Sequence, residues 1–458
     1  MVIQRSNRFT SIEKSWILYD WANSVYAIII MAAIYPIYFT GVMANSGGNG
    51  DIWWGYATSA ATLVTAILAP FLGAIGDFRG MKKRLFSVFL ILGVVFTTVM
   101  GLTDNWQMML VGYVFSYIGF AGSLLFYDSF LTDITTADRM DRVSAWGYSM
   151  GYLGGSTIPF IVSIALVLFG DKIGVDSVLA VKLSCVLTSI WWAAFSIPFL
   201  RNVHQTHYED KPARALIAGS LRNIGRTVRD ILHSKAILVF MIAYFFYIDG
   251  VNTVIHMATA YGSSLGLGST GMILALMVTQ LVAVPFSILF SRLSGKIGSI
   301  RMISIAIVVY FFICTVGFYM GYSVEQAQAA FARDFNEAAQ ATAMQRANIL
   351  FWAMAVLVGT CQGGIQALSR SFFGKLIPPS RSNEFYGFFD IFGKFAAVIG
   401  PALYALVANL TGRSSYGILS LMLLFAIGLL TIVFGRKHLQ QAEFQASEAV
   451  RRSREDAG

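Results

Sequence analysis

Cysteine is nearly absent from this chain: Cys185, Cys314 and Cys361 are all it has in 458 residues. Three thiols so far apart cannot staple a disulfide framework, and each lies in an apolar run, so they read as packing residues. Charge is scarce too, at 12% of residues, where a soluble domain carries roughly a quarter. No phosphate-cradling Walker loop, His/Cys metal cluster or nucleophile elbow occurs. That argues against an ATP-driven pump and a hydrolase. No catalytic residue, metal ligand or cofactor is expected, and the chain does not read as an enzyme.

What fills the chain instead is apolar sequence, 56% of all residues. Runs of about 20 residues, each enough to cross the hydrocarbon of a bilayer, recur along its length. They cover 14–41, 52–76, 83–103, 106–131, 142–169, 177–200, 234–262, 269–293, 300–321, 347–373, 383–410 and 415–435. Only helices and closed barrels satisfy their backbone in lipid, and runs this long exclude a barrel. The fold class is an all-α integral membrane protein of twelve transmembrane helices.

The net charge of +9 reads as topology rather than a nucleic-acid footprint. Of the 33 Lys and Arg, all but Lys172, Lys182, Arg333, Arg346, Arg413 and the in-span Lys394 fall on the side of the N-terminus. That bias puts both termini in the cytoplasm, with some attraction to anionic lipid. No short apolar core followed by a small-residue cleavage site opens the chain, so no removable signal peptide is expected. Asn409-Leu410-Thr411 forms a glycosylation triplet with nothing else to support its use.

The chain repeats itself. Residues 126–159 align without gaps on 368–401, with Ser129/Ser371, Phe130/Phe372, Arg139/Arg381, Gly151/Gly393 and Pro159/Pro401 identical. Charges at matching points invert: Asp128 answers Arg370, Asp133 answers Lys375, and Arg142 answers Glu384. Asp20-Trp-Ala-Asn23-Ser24 likewise matches Asp249-Gly-Val-Asn252-Thr253, and the turn at 76–83 matches 294–301. A Gly/Asn loop near 44–51 and an Ala/Gln insert near 323–346 account for the changes in offset. The reading is two pseudo-symmetric six-helix halves, 1–200 and 234–436, a linker 201–233 and a polar tail 437–458. In the linker, Leu221, Ile224, Val228 and Ile231 share one helical face, away from Arg222, Arg226 and Arg229. This suggests an amphipathic helix on the inner leaflet, serving as a tether or a regulator.

The strongest local motif is GAIGDFRGMKKR at 73–84. A very short turn between two spans needs Gly76 and Gly80, and Asp77 there can bond Arg79, pair with Lys82–Arg84 or cap a facing helix. The order of Gly, Asp and basic residues resembles the signature loop of the major facilitator superfamily. YDWANSVYA (19–27) and LSRSFFGKLIPPSRSNEFYGFFDIFGKFAAVIGP (368–401) look like its vacuole-effluxer, autophagy-related branch and the bacterial relatives of that branch. The resemblance implies a major facilitator fold without an ATPase and, more loosely, export of amino acids or related metabolites. The fifth span has Gly147, Gly151, Gly154 and Gly155 but lacks the Gly-Pro pair of the antiporter pattern, so proton antiport does not follow from the motif.

Asp20, Asn23 and Ser24 share one face of the first span, and Asp249, Asn252, Thr253 and His256 share one face of the seventh. Polar groups are costly in lipid, so these faces should turn to the bundle interior or a wet cavity. They could bind substrate or a proton, or only bond neighbouring helices. In the superfamily that the chain resembles, these two spans line the central cavity. Asp77, Arg79, Asp128, Arg142, Arg370 and Glu384 are the expected gating residues. Asp390 and Lys394, one turn apart, could neutralise each other as a buried pair. Gln280, Gln362 and Gln366 are further cavity candidates.

The expectation is therefore a monomeric secondary transporter of a small polar solute in the cytoplasmic membrane, with protons as a possible coupling ion. The alternatives are efflux of drugs or organic cations, or a facilitator-derived sensor that no longer transports.

Overall fold

The computed structural model describes residues 8–48, 50–155, 158–210, 218–334 and 337–455. Twelve helices are long and apolar enough to cross a membrane. They are α1 Ser11–Asn45, α2 Ile52–Gly76, α3 Met81–Leu102, α4 Trp106–Ile134, α5 Ala137–Ile173 and α6 Ser177–Asn202. The second set is α7 Lys235–Ser264, α8 Leu274–Ile297, α9 Ser299–Arg333, α10 Glu337–Leu376, α11 Pro379–Thr411 and α12 Ser414–Arg452. Among the described residues there is no strand, only an isolated bridge between Phe78 and Glu209.

Each helix falls on one of the expected apolar runs, and the differences lie at the ends and in the insert. The Ala/Gln insert is no loop: α9 and α10 extend into it to Arg333 and from Glu337. Ala, Gln, Glu and Arg are strong helix formers, so nothing in that composition stops either helix. Glu325 on the α9 extension accepts from the main chain (2.9 Å) and hydroxyl (2.6 Å) of Ser415, capping α12. The polar tail is likewise continuous with α12, whose helix runs Ser414–Glu455.

Two spans widen where the sequence gives no apolar warning. In α1, a capping box between Thr10 and Glu13 fixes the start, and a π stretch at Ala27–Ala33 precedes Pro36. Proline has no N–H for the preceding turn and its ring opposes the carbonyl four residues back, so the helix opens there. In α5 a π stretch occupies the glycine-rich Gly151–Gly155. Such widened turns often accompany functional sites.

The chain forms two compact units. One comprises Met1–Arg229 and Ile377–Asp390, the other Asp230–Leu376 and Ile391–Gly458. The head of α11 thus packs within the first unit, although it comes from the second half of the sequence. The core of the first unit holds an aromatic cluster in which Trp16 stacks on Tyr127 (4.3 Å), with Tyr19, Phe86, Phe130 and Phe199 around them. In the second unit Tyr310 stacks on Phe425 and Phe240 meets Phe372. The three cysteines are buried and unbridged.

The linker helix spans Ala218–His233. The side chains of Leu221 and Arg222 lie outside the described residues. Thr227 and Ile231 are buried, whereas Val228 is 39% exposed. The packed face is therefore rotated from the expected apolar one toward Thr227.

Candidate functional site

The turn between α2 and α3 organises the first site. Gly80 closes it in the left-handed region, φ +73°, and so begins α3 without strain. Asp77 just before it is buried. Its Oδ1 accepts from the main-chain N–H of Asn383 (2.9 Å) and from the Asn383 side-chain amide (2.8 Å). Its Oδ2 accepts from the main-chain N–H of Glu384 (3.0 Å). The first N–H groups of a helix have no partner within it and carry the positive end of its dipole, so a carboxylate there completes the start of α11. The approach is close. A Cβ on Gly73 would lie 2.5 Å from the carbonyl oxygen of Asn383, and one on Gly387 would lie 2.7 Å from that of Ala69.

Burial pushes the Asp77 carboxyl up to about 7, against the pull of Lys82 and the three N–H donors. Lys82 sits beside this contact, fully buried, with its ammonium 2.6 Å from Asp133 Oδ2. It also donates to Ser382 Oγ (2.9 Å) on α11 and lies over the Phe130 ring. The Ser129 hydroxyl donates to Asn383 Oδ1. Turn, α4 and the head of α11 are thus joined by one buried polar network.

Of the three partners open to Asp77 in the sequence, the structure takes the helix cap. Arg79 is exposed and lies over Tyr208 at 5.3 Å. Glu384 joins through its backbone, and its side chain accepts from Arg381 (3.3 Å). Arg142 lies over the ring of Phe9 at 4.4 Å. Asp128 is half-buried on α4, and Arg370 is buried on α10 of the second unit. Asp390 and Lys394 are half-buried one turn apart on α11. Arg139, marked only by its repeat identity, makes a two-pronged pair with Glu13 at 2.8 and 2.6 Å.

The polar face of α1 lies against α4 and α5 in the first unit. Asp20 is 7% exposed, and its Oδ2 accepts from the Tyr127 hydroxyl (2.8 Å). Ser24 donates to the Asp20 carbonyl (2.8 Å). Asn23 is buried, with its amide nitrogen unpartnered. A Cβ on Gly151 would meet Ser24 Oγ at 2.7 Å, so the glycines of α5 admit this face.

The matching face of α7 in the second unit is more open in its bonding. Asp249 has no solvent exposure. Its Oδ1 accepts from the Gly400 N–H of α11 (2.9 Å), while Oδ2 and the neighbouring Thr253 Oγ1 have no partner. Gly400 has room for nothing more, because an added Cβ would collide with the Thr253 hydroxyl. Asn252 is half-buried. His256 is exposed, so only part of the expected face turns inward. Gln280 and Gln362 each have a buried carbonyl oxygen without a partner.

Sequence reasoning missed Asn383, Ser382, Ser129 as a bonding group, Tyr127 and Gly400. The Pro-Ser-Arg-Ser-Asn-Glu run at 379–384 is a helix-start signal that could have marked the donors. Nothing local marks Tyr127.

A sequence model described as "Vacuole effluxer Atg22 like" matches residues 54–443. The major-facilitator-type transporter YxiO of Bacillus subtilis is 42% identical over 434 residues, 93% of this chain and 95% of that protein. Autophagy-related protein 22 of Cryptococcus neoformans is 26% identical over 69% of this chain. The chain spans about half the length of such fungal relatives, 53% in that case. Among solved structures, the proton:xylose symporter XylE aligns with a TM-score of 0.62 at 14% identity, covering 92% of this chain and 94% of that one. A bacterial homologue of the iron transporter ferroportin aligns at 0.61 with 12% identity, covering 94% and 98%. At these identities the likeness shows the fold, which is that of the major facilitator transporters.

Proposed function

The chain belongs to the vacuole effluxer Atg22-like family, and from that premise we propose that it exports an amino acid or related small polar metabolite across the cytoplasmic membrane by alternating access. It is a multi-pass transporter of the major facilitator type and not an enzyme.

The observation that carries the substrate reading is Asp249. A carboxylate with no solvent exposure is tolerated in an apolar span only when a proton or a cationic group neutralises it. Asp249 has no basic partner among the described residues, while its Oδ2 and the Thr253 hydroxyl stand unpartnered. Two oxygens offered together suit the N–H donors of an α-ammonium group. A coupling proton could occupy the same carboxylate when the substrate is absent, which would tie the two fluxes. Asp20 bonds the Tyr127 hydroxyl and serves in this reading as the supporting carboxylate of the first half.

The Asp77 contact is the proposed inner gate, holding the head of α11 on the 2–3 turn in one state and releasing it in the other. Asp128, Arg142, Arg370 and Glu384 are retained as gating charges. The bias of Lys and Arg along the sequence supports a cytoplasmic side for this turn and both termini, and the protein is taken to act as a monomer.

Proteoliposomes loaded with a mixture of amino acids, organic cations and sugars test this directly. Export of amino acids above the other classes, lost in Asp249→Asn, is the expected result. Preferential export of organic cations would favour drug efflux, and movement of nothing would favour a sensor.

A further inference from the structure

The linker between the halves does more than span them. As it leaves α6 it runs as a strap along the 2–3 turn. Gln205 Nε2 donates to the Gly76 carbonyl (3.1 Å), and the Glu209 N–H donates to the Asp77 carbonyl (2.9 Å). Phe78 and Glu209 form the isolated bridge, and Tyr208 lies under Arg79. In between, the main-chain N–H groups of Thr206 and His207 both donate to Asp133 Oδ1, at 2.9 and 2.8 Å. The other oxygen of Asp133 is the one held by Lys82. A tether that only joined two bodies would give its backbone N–H groups to water. This one gives them to the turn that seats α11 and to the acid that holds Lys82.

The linker also reaches the other side of the same contact. Thr227, buried in the linker helix, accepts a hydrogen bond from Arg381 at the head of α11, two residues before Asn383. The described parts of the linker on either side of 211–217 thus touch the turn, Asp133 and the head of α11, all within the first unit.

The second half holds its turn by a different contact. The turn after α8 has lost its acid, and the extension of α12 supplies one: Glu443 Oε1 accepts from the Ser299 N–H (2.8 Å). Lys375, which matches Asp133 in the repeat, donates to Ser299 Oγ (3.0 Å). In the first half the chain that follows α6 lies on the half's own turn, and in the second half the extended end of α12 itself reaches the turn after α8.

We propose that the linker is a working part of the inner gate: residues 205–209 strap the 2–3 turn and Thr227 holds the head of α11, so that gate and strap seat and release together, with Asp133 as the positioning residue. This rests on reading the Asp77 contact as the gate.

The test is a reversible crosslink, Phe78→Cys with Glu209→Cys, in the full-length protein reconstituted in vesicles. Under reducing conditions measurable transport by the double variant shows that it folds, and that rate is the baseline for the oxidised form. Oxidation should slow transport at least tenfold with substrate affinity within twofold, and reductant should restore it. Glu209→Pro removes one strap N–H without a crosslink and should lower turnover several-fold at unchanged KM. Asp77→Asn is measured alongside. If Asp77→Asn is slow but neither the oxidised pair nor Glu209→Pro is, the linker is a passive tether and the gate stands without it. If none of the three is slow, the gate reading itself fails and the strap proposal falls with it.

Discussion

The carboxylate of Asp77 lies 2.9 Å from the main-chain nitrogen of Asn383, a residue 306 positions further along the chain. That one contact gives the 2–3 turn a bonding partner beyond its own loop. It ties a charged turn to the start of a helix from the other half of the sequence, through donors that only a helix terminus has free.

Asp77→Asn keeps the side-chain shape but sets an amide N–H against main-chain N–H donors. Leaving these buried N–H donors without an acceptor costs about 1–3 kcal/mol, and roughly 1.4 kcal/mol shifts a two-state balance tenfold. Turnover should fall by about tenfold or more, with expression and substrate affinity near wild type. Counterflow in vesicles measures both, and normal turnover would reduce the motif to a topogenic loop.

The same carboxyl makes the contact pH-dependent. Its value is raised from an ordinary 3.8 to about 7 by burial, so the seated arrangement favours the protonated form. The stabilisation is fully present below the ordinary value and is lost as pH rises through about 7. Hydrogen exchange at the Asn383 and Glu384 amides, corrected for intrinsic rates, should show protection falling between about pH 4 and pH 7 and levelling off above that. Flat protection in wild type would remove Asp77 as the titrating group.

Lys82 and Asp133 are both fully buried. Removing one partner strands the other charge, at a cost of about 3–5 kcal/mol, whereas an apolar pair of similar volume is often tolerated. Lys82→Met or Asp133→Leu alone should lower the melting temperature and yield sharply, and the double variant should recover much of the loss. A double variant as unstable as the worse single one would show that each residue acts through other partners.

The twelve spans were legible because an apolar run of bilayer length has few alternatives, and Asp77 was legible because Gly, Asp and basic residues occur in a fixed order. Its partners were not. The donors on Asn383 and Glu384 belong to a backbone position rather than a residue type, so composition carries no trace of them. The strap escaped notice for a related reason, since residues 203–209 have no apolar period and bond through main-chain N–H groups. His256 shared the spacing of Asp249, yet it is exposed while Asp249 is not. Spacing fixes which residues share a helix face, and packing decides how much of that face is covered.

At the α7–α11 contact, a Cβ on Gly400 would overlap Thr253 Oγ1 and come within 2.8 Å of Asp249 Oδ1. Gly400→Ala should therefore cost about 1–3 kcal/mol, the usual range for overpacking, and impair transport. Thr253→Ala should relieve part of the stability loss, as read by thermal denaturation in detergent. A fully stable, fully active Gly400→Ala would mean that the two helices part at little cost and that the site is not closely built.

The most direct measurement compares wild type with Asp249→Asn in vesicles, following uphill amino-acid movement and one-for-one exchange in the same preparation. The account expects wild type to build a gradient, and Asp249→Asn to lose that ability while it still folds and, if the carboxylate mainly carries the proton, still exchanges. Uphill transport at the wild-type rate in both Asp249→Asn and Asp20→Asn would contradict it.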